Sequence, residues 1–189
     1  MNYYGPIILA SSALLIAVHG LVMRRRAARR SETGTGAGPS SARVTPSSLF
    51  VWLSALGAGL EWLLPTGSAL KPVLGWLAAG VALVIAAECI MRAASRTLQR
   101  HATTQDARRV ADVLVADGLF RSTRNPIYLG MLLLFLGVGV AATSLWALAL
   151  LPAYFLALHL LVVRPEEAAL RHRFGDRYRR YAARVPRYL

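Results

Sequence analysis

The sequence predicts an all-α, polytopic membrane protein with about five transmembrane helices. Its N-terminus is expected outside, its C-terminus in the cytoplasm, with an amphipathic helix closing the chain. Three observations carry this. The 189 residues are 56% hydrophobic yet hold a formal net charge of +13, which fits apolar spans joined by basic loops rather than one small soluble core. The apolar residues fall into runs of near-spanning length. With five spans, the inner segments carry six, seven and eight arginines, 21 of the 22 basic residues, and only Lys71 falls on the other side. Such asymmetry orients a membrane protein, here in the cell membrane. The arginines flank apolar spans instead of forming a separate domain, so nucleic acid is not the expected partner. Cys89 is the only cysteine, which excludes an internal disulfide and a cysteine-based metal site.

Residues 1–91 read as a three-span region. Ile7 to Met23 is apolar and is followed at once by Arg24-Arg-Arg-Ala-Ala-Arg-Arg30. A cleaved signal peptide has the reverse order, charge before the apolar core, so this is an uncleaved span. His19, near its inner end, reads as a polar group at a helix interface. Residues 24–47 form a basic, flexible linker, Ser/Gly/Thr/Pro-rich from 31 onward. Within it, Glu32-Thr-Gly-Thr-Gly-Ala-Gly38 imitates the glycine loop of soluble nucleotide-fold methyltransferases. That loop needs a strand before it and a helix after it; here polyarginine precedes and Pro39-Ser-Ser follows.

Leu49 to Leu64 is the second expected span, ending in Trp62 and Pro65, and Leu70 to Met91 is the third. Pro65 to Ala69 would join them as a helical hairpin. Glu61 and Glu88 lie inside these spans, where a carboxylate is costly. Glu88 has Arg92 one turn on, and Glu61 is close to the outer rim, so both read as structural.

Residues 92–189 read as the catalytic region. In 92–124, Asp106, Asp112 and Asp117 interrupt seven arginines, while Val110, Val113, Leu114 and Val115 supply apolar anchors. This suggests a partly helical cytoplasmic segment leading to a turn at Asp117-Gly118. Ile127 to Val163 is apolar for 37 residues, too long for one span of about 20. Ala141-Ala-Thr-Ser144 is the expected turn between two antiparallel helices. Gly130, Gly137 and Gly139 permit close packing on the first, and Pro152 is expected to kink the second. His159 reads as a packing or interfacial group. Pro165 then opens a helix with Glu166 and Glu167 in its first turn, where the helix dipole favours carboxylates. Leu170, Phe174, Tyr178, Tyr181 and Val185 make an apolar stripe along it. An interfacial helix held by anionic lipid would explain the stripe and the arginines, but not the two adjacent carboxylates.

The stretch Arg121-Ser-Thr-Arg-Asn-Pro-Ile-Tyr-Leu-Gly130 is where chemistry is expected. Pro126 suits a first helical turn, so Arg124, Asn125 and Tyr128 cluster at the mouth of a helix whose N-terminus attracts anions. The last two spans form a hairpin, which brings Glu166 and Glu167 to the same end as this mouth. Carboxylates for an ammonium and arginines for a carboxylate suit a zwitterionic ligand.

Asp117-Gly-Leu-Phe-Arg-Ser-Thr-Arg-Asn-Pro-Ile-Tyr-Leu-Gly130, followed by Glu166-Glu-x-x-Leu-x-x-x-Phe-Gly-x-x-Tyr-x-x-Tyr-x-x-x-Val-Pro-Arg187, is similar to the isoprenylcysteine carboxyl methyltransferase and phospholipid methyltransferase group. The resemblance covers roughly the C-terminal 40% of the chain. Many relatives have Arg-His-Pro where this chain has Arg124-Asn125-Pro126, and Gly-Pro-Tyr in place of Gly118-Leu119-Phe120. Asn125 therefore removes a titratable imidazole. The resemblance implies S-adenosylmethionine bound at the cytoplasmic ends of the last spans under the C-terminal segment. Asn125, Tyr128 and Leu129 would line its pocket with Phe120, Arg121 and Pro126 beside them, and Glu166 or Glu167 would take its amino group. Tyr178, Tyr181 and Arg187 would be lid contacts. Arg124 and Glu167 would carry the chemistry, with no metal.

Methyl transfer from a sulfonium is an in-line displacement that positioning and desolvation accelerate. A carboxylate or thiolate acceptor would need no base; an amine or hydroxyl acceptor would need one, and the glutamates are the candidates. The acceptor is expected to be a lipophilic small molecule or a lipidated substrate, with membrane lipid as the surrounding partner. Two alternatives stand beside this reading. One is a sterol-reductase-like oxidoreductase using NADPH, for which the chain is short. The other is a non-catalytic scaffold with a basic cytoplasmic face.

Overall fold

The structure is a computed structural model that describes residues 45–66, 74–101 and 113–189. The expected first span Ile7–Met23 with His19, the linker as far as residue 44, Lys71, and residues 102–112 with Asp106, Val110 and Asp112 lie outside the described residues. So does the end of the expected Pro65–Ala69 link.

Among the described residues every regular element is helical. Helix α1 is Pro46–Leu63, with Pro46 in its first turn where a missing N–H costs nothing. Helix α2 is Leu74–Arg100, 27 residues, so it continues well beyond Met91, where the apolar run ends. A short 3₁₀ turn, Gly118–Arg121, precedes α3, Pro126–Ala141. Helix α4 is Leu145–Leu158; a π-helical stretch, His159–Val163, carries it without a break into α5, Arg164–Phe174. Helix α6 is Asp176–Arg184.

Among the described residues two helices are long and apolar enough to cross a membrane, α2 and the continuous Leu145–Phe174, while α3 is a shorter apolar helix. Trp52, Trp62, Leu74, Ile85 and Leu156 are all more than half exposed, an outward apolar surface suited to lipid rather than water.

The expected turn at 141–144 is present. Ser144 caps α4 by accepting from the Ala147 N–H at 3.2 Å and donates its own hydroxyl to Glu61 at 3.0 Å. Glu61 also accepts from the Thr66 hydroxyl at 2.8 Å, so this carboxylate ties the end of α1 to the α3–α4 turn and is structural, as expected. Glu88 and Arg92 form the expected pair at 3.1 Å, both well exposed.

Helix α3 lies along α2 at backbone contact. A β-carbon on Gly80 would collide with the Ala141 backbone, and one on Gly137 would sit 3.0 Å from the Gly80 carbonyl. Gly139 meets α4 instead, with Leu148 at 3.2 Å from its would-be β-carbon. Phe50, Phe135 and Tyr154 join α1, α3 and α4 in an aromatic cluster with ring centroids 4.7 to 6.0 Å apart. Pro152 lies inside α4, which continues past it; the hydrogen-bond register changes at His159–Val163.

Two expectations are corrected. Pro165 does not open a helix: the chain is helical without interruption from Leu145 to Phe174, so Glu166 and Glu167 stand mid-helix and not at a free N-terminus. The C-terminal segment is two helices, not a single amphipathic one. Gly175 separates α5 from α6 at φ +52, a conformation that costs other residues a clash between Cβ and backbone. The chain therefore turns back, and α6 covers the end of the bundle instead of continuing away from it.

Candidate active site

The mouth of α3 is built by local chemistry. Pro126 begins the helix without an N–H to satisfy, and Asn125 holds the position before it. Ahead of that, Gly118 at φ +56 lets the 3₁₀ turn pass against Thr97 of α2. A His101–Asp117 contact of 3.0 Å links the end of α2 to the start of the same turn. That hydrogen bond, with the neighbouring positive groups, lowers the Asp117 carboxyl below its ordinary range.

The C-terminal tail closes over this mouth. The Arg124 N–H donates to the Pro186 carbonyl at 3.0 Å. The Arg187 carbonyl accepts from the Thr123 hydroxyl and from Asn125 Nδ2, each at 3.1 Å. Tyr188 reaches His159 Nδ1 at 3.0 Å, which gives that histidine the packing role expected of it. Asn125, 6% exposed, also donates to Glu167 Oε1 at 3.4 Å. Where relatives are expected to carry histidine, this chain has an amide whose two N–H groups bridge the carboxylate helix to the tail.

The two carboxylates have different environments. Glu167 is 4% exposed and accepts two bonds at Oε2 from Arg187, Nη2 at 2.8 Å and Nε at 3.0 Å. Arg124 Nε lies 3.6 Å from the other oxygen, an ion pair just beyond hydrogen-bond reach. Pairing with Glu167 raises the Arg187 guanidinium above its ordinary value. Glu166 is partly buried and accepts at 2.7 Å from the Tyr128 hydroxyl. Among the described residues no cation lies within ion-pair distance of it.

Helix α6 presents its tyrosines inward. Tyr181 donates to the Phe120 carbonyl at 2.8 Å. Among the described residues the Tyr178 hydroxyl and Arg124 Nε are buried without a well-formed hydrogen bond, and the two side chains lie against each other. Burial pushes the Tyr178 phenol up to about 12, and Tyr181 higher still, so both remain O–H donors at neutral pH.

These groups surround a cleft of about 700 Å³, the space at its open mouth included. Of the residues expected at the site, Phe120, Arg124, Asn125, Pro126, Tyr128, Glu166, Glu167, Tyr178 and Tyr181 line it. Arg121 and Leu129 do not, and Arg187 reaches it through Glu167. Sequence reasoning missed the apolar wall. Leu98 of α2, Ile127 of α3 and Leu170 of α5 face the cleft together with Val113, Leu114 and Val115. The signal for Leu98 was available: Gly80, Ala87, Ala94 and Leu98 recur at helical spacing and are the buried residues of α2. The valines read only as membrane anchors because their polar neighbours hid the pocket they face.

One wall is thus apolar, and the other carries a carboxylate, Glu166, that has no cation among the described residues, with the Arg124 guanidinium and the Tyr178 phenol beside it. A family model described as phospholipid methyltransferase matches residues 76–177, more than half of the chain, from early α2 to the start of α6. No curated protein matches the chain.

Proposed function

The chain belongs to the phospholipid methyltransferase family, and we propose that it transfers a methyl group from S-adenosylmethionine to a lipophilic or membrane-associated acceptor. The observation that carries this is the polar wall of the cleft. Glu166 offers negative charge to an ammonium, while the Arg124 Nε–H and the Tyr178 hydroxyl offer donors to a carboxylate. That set fits an amino-acid headgroup, and the apolar wall from Leu98 to Leu170 fits an aromatic base and a lipid-soluble acceptor.

When bound, S-adenosylmethionine supplies a methyl group on a positively charged sulfur; the acceptor's lone pair forms the new bond to carbon while sulfur keeps the electrons of the broken one. The protein's share is orientation and exclusion of water. Arg124 and the Tyr128–Glu166 pair fix the donor's headgroup, and α6 with its tyrosines roofs the cleft. Asn125 holds no exchangeable imidazole proton, so this position positions ligands and does not act as a base. For an amine or hydroxyl acceptor a base would be required, yet both oxygens of Glu167 face cations and Glu166 is committed to the donor's ammonium, which favours an acceptor that arrives already ionised. For a carboxylate or thiolate acceptor no base is required, as in an isoprenylcysteine carboxyl methyltransferase-like reaction.

We place the site at the cytoplasmic face of a five-span cell-membrane protein, a topology supported by the arginine distribution. The test is incubation of membranes containing the protein with methyl-labelled S-adenosylmethionine, followed by extraction of labelled product. Transfer to a lipid-soluble product is expected. Binding of NADPH in place of S-adenosylmethionine would instead favour an oxidoreductase, and label transfer no greater than in membranes lacking the protein would overturn the reading.

A further inference from the structure

We propose that Arg187 is a positioning residue: by saturating one oxygen of Glu167 it leaves the Arg124 guanidinium available to a ligand carboxylate, and so tunes the cleft for an amino-acid headgroup. The proposal rests on the S-adenosylmethionine reading above.

Glu167 sits between two guanidiniums. Arg187 places both of its bonds on Oε2, at 2.8 and 3.0 Å, whereas Arg124 Nε stands 3.6 Å from Oε1, an ion pair longer than a hydrogen bond, beside the Tyr178 hydroxyl. A buried carboxylate satisfied by a single cation draws that cation to full contact, because attraction in a low-dielectric site rises steeply as separation falls. Without Arg187, Glu167 would close on Arg124 and hold to itself a guanidinium that now pairs with it only at 3.6 Å and lines the cleft. Arg187 is itself fixed by its backbone: its carbonyl accepts from Thr123 and Asn125, and the preceding carbonyl accepts from the Arg124 N–H. Tail, mouth and carboxylate form one rigid unit in which Arg187 acts on the ligand only through Glu167 and Arg124. The same arrangement directs a ligand ammonium away from Glu167, where it would be a third positive group, toward Glu166, whose partner is the neutral Tyr128 hydroxyl. The family match ends at residue 177, so this tail contact lies outside the matched segment.

Isothermal titration of the full-length protein in detergent tests this with two probes. S-adenosylhomocysteine carries the amino and carboxylate groups, and 5′-methylthioadenosine has the same nucleoside thioether without them. Arg187→Gln is expected to weaken S-adenosylhomocysteine about tenfold or more while changing 5′-methylthioadenosine by less than about twofold. Arg187→Lys, which keeps the charge but not the fork, should recover part of the loss. A merely structural role would weaken both probes alike. Equal loss for both, or no loss for either, overturns the positioning role and leaves the methyl-donor reading standing. If the wild-type protein binds neither probe, the methyl-donor reading falls and takes the proposal with it. Should Arg187→Gln not fold, the Arg187→Lys comparison decides by the same criterion.

Discussion

Both bonds from Arg187 fall on a single oxygen of Glu167, at 2.8 and 3.0 Å, and the other oxygen faces Asn125 at 3.4 Å and Arg124 at 3.6 Å. Among the described residues its neighbour Glu166 has a phenol and no cation, and burial raises its carboxyl above the ordinary range. Two adjacent glutamates thus divide into a neutralised hub and a carboxylate still wanting a cation. The division decides what each substitution should do.

Glu166→Gln removes the uncompensated negative charge and keeps the shape. S-adenosylhomocysteine affinity should fall at least roughly tenfold, while thermal stability stays within about 0.5 kcal/mol of wild type. Calorimetric binding and a thermal melt in detergent check both halves. Unchanged affinity would remove Glu166 from the site.

Glu167→Gln should act mainly on the fold. It leaves Arg124 and Arg187 facing an amide, and loss of one member of a buried pair costs about 3 kcal/mol. Because Arg187 is partly exposed, the loss should concentrate in the tail. Hydrogen exchange at residues 123–125 and 185–188 should accelerate before that of α2 or α3. Uniform acceleration along the whole chain would contradict the hub role.

Gly80→Ala tests the α2–α3 contact. Its β-carbon would collide with the Ala141 backbone, which cannot step aside as a side chain can. A loss of about 1–3 kcal/mol is expected. Gly59→Ala, with nothing within 4 Å of its β-carbon, should be neutral or slightly stabilising. Comparable melting temperatures for the two variants would argue against this helix contact.

The alkaline limit of the cap follows from its tyrosines. Burial raises the Tyr178 phenol to about 12 and lifts Tyr181 further, against about 10 in the unfolded chain. Raised folded values mean that the folded form holds protons which the unfolded chain has released. The contribution is therefore complete below about pH 10 and is lost as pH rises through about 12, on the order of 2 kcal/mol for Tyr178. Phenolate absorbance followed alongside near-ultraviolet circular dichroism should show late-titrating tyrosines, one fewer in Tyr178→Phe.

Much of this architecture was legible in the residue order. Apolar run lengths predicted helices over Leu49 to Leu64, Leu70 to Met91 and from Ile127 onward, found at Pro46–Leu63, Leu74–Arg100 and Pro126–Ala141, and Ala141 to Ser144 marked the turn between α3 and α4. Pro126 marked the helix mouth where polar side chains gather, whereas Pro165 opens no mouth, because it lies within the continuous helix Leu145–Phe174. The break at Gly175 was less visible, because the stripe from Leu170 to Val185 keeps helical spacing on both sides of it. Spacing reports which face is apolar; it does not report a glycine that takes positive φ and reverses the chain.

The sequence by itself determined the helical class, the segregation of arginine from apolar spans, and the chemical identity of the two polar clusters. Those properties depend on composition and short-range periodicity. Tertiary structure alone decided that Glu167 is occupied and Glu166 is not, that Asn125 bridges rather than titrates, and that Leu98 and Val115 wall the cleft. The physical reason is distance. Arg187 and Glu167 are 20 residues apart in sequence, and Asn125 and Arg187 are 62 apart. Whether a charge is compensated turns on differences of less than an ångström between groups that only the folded chain brings together.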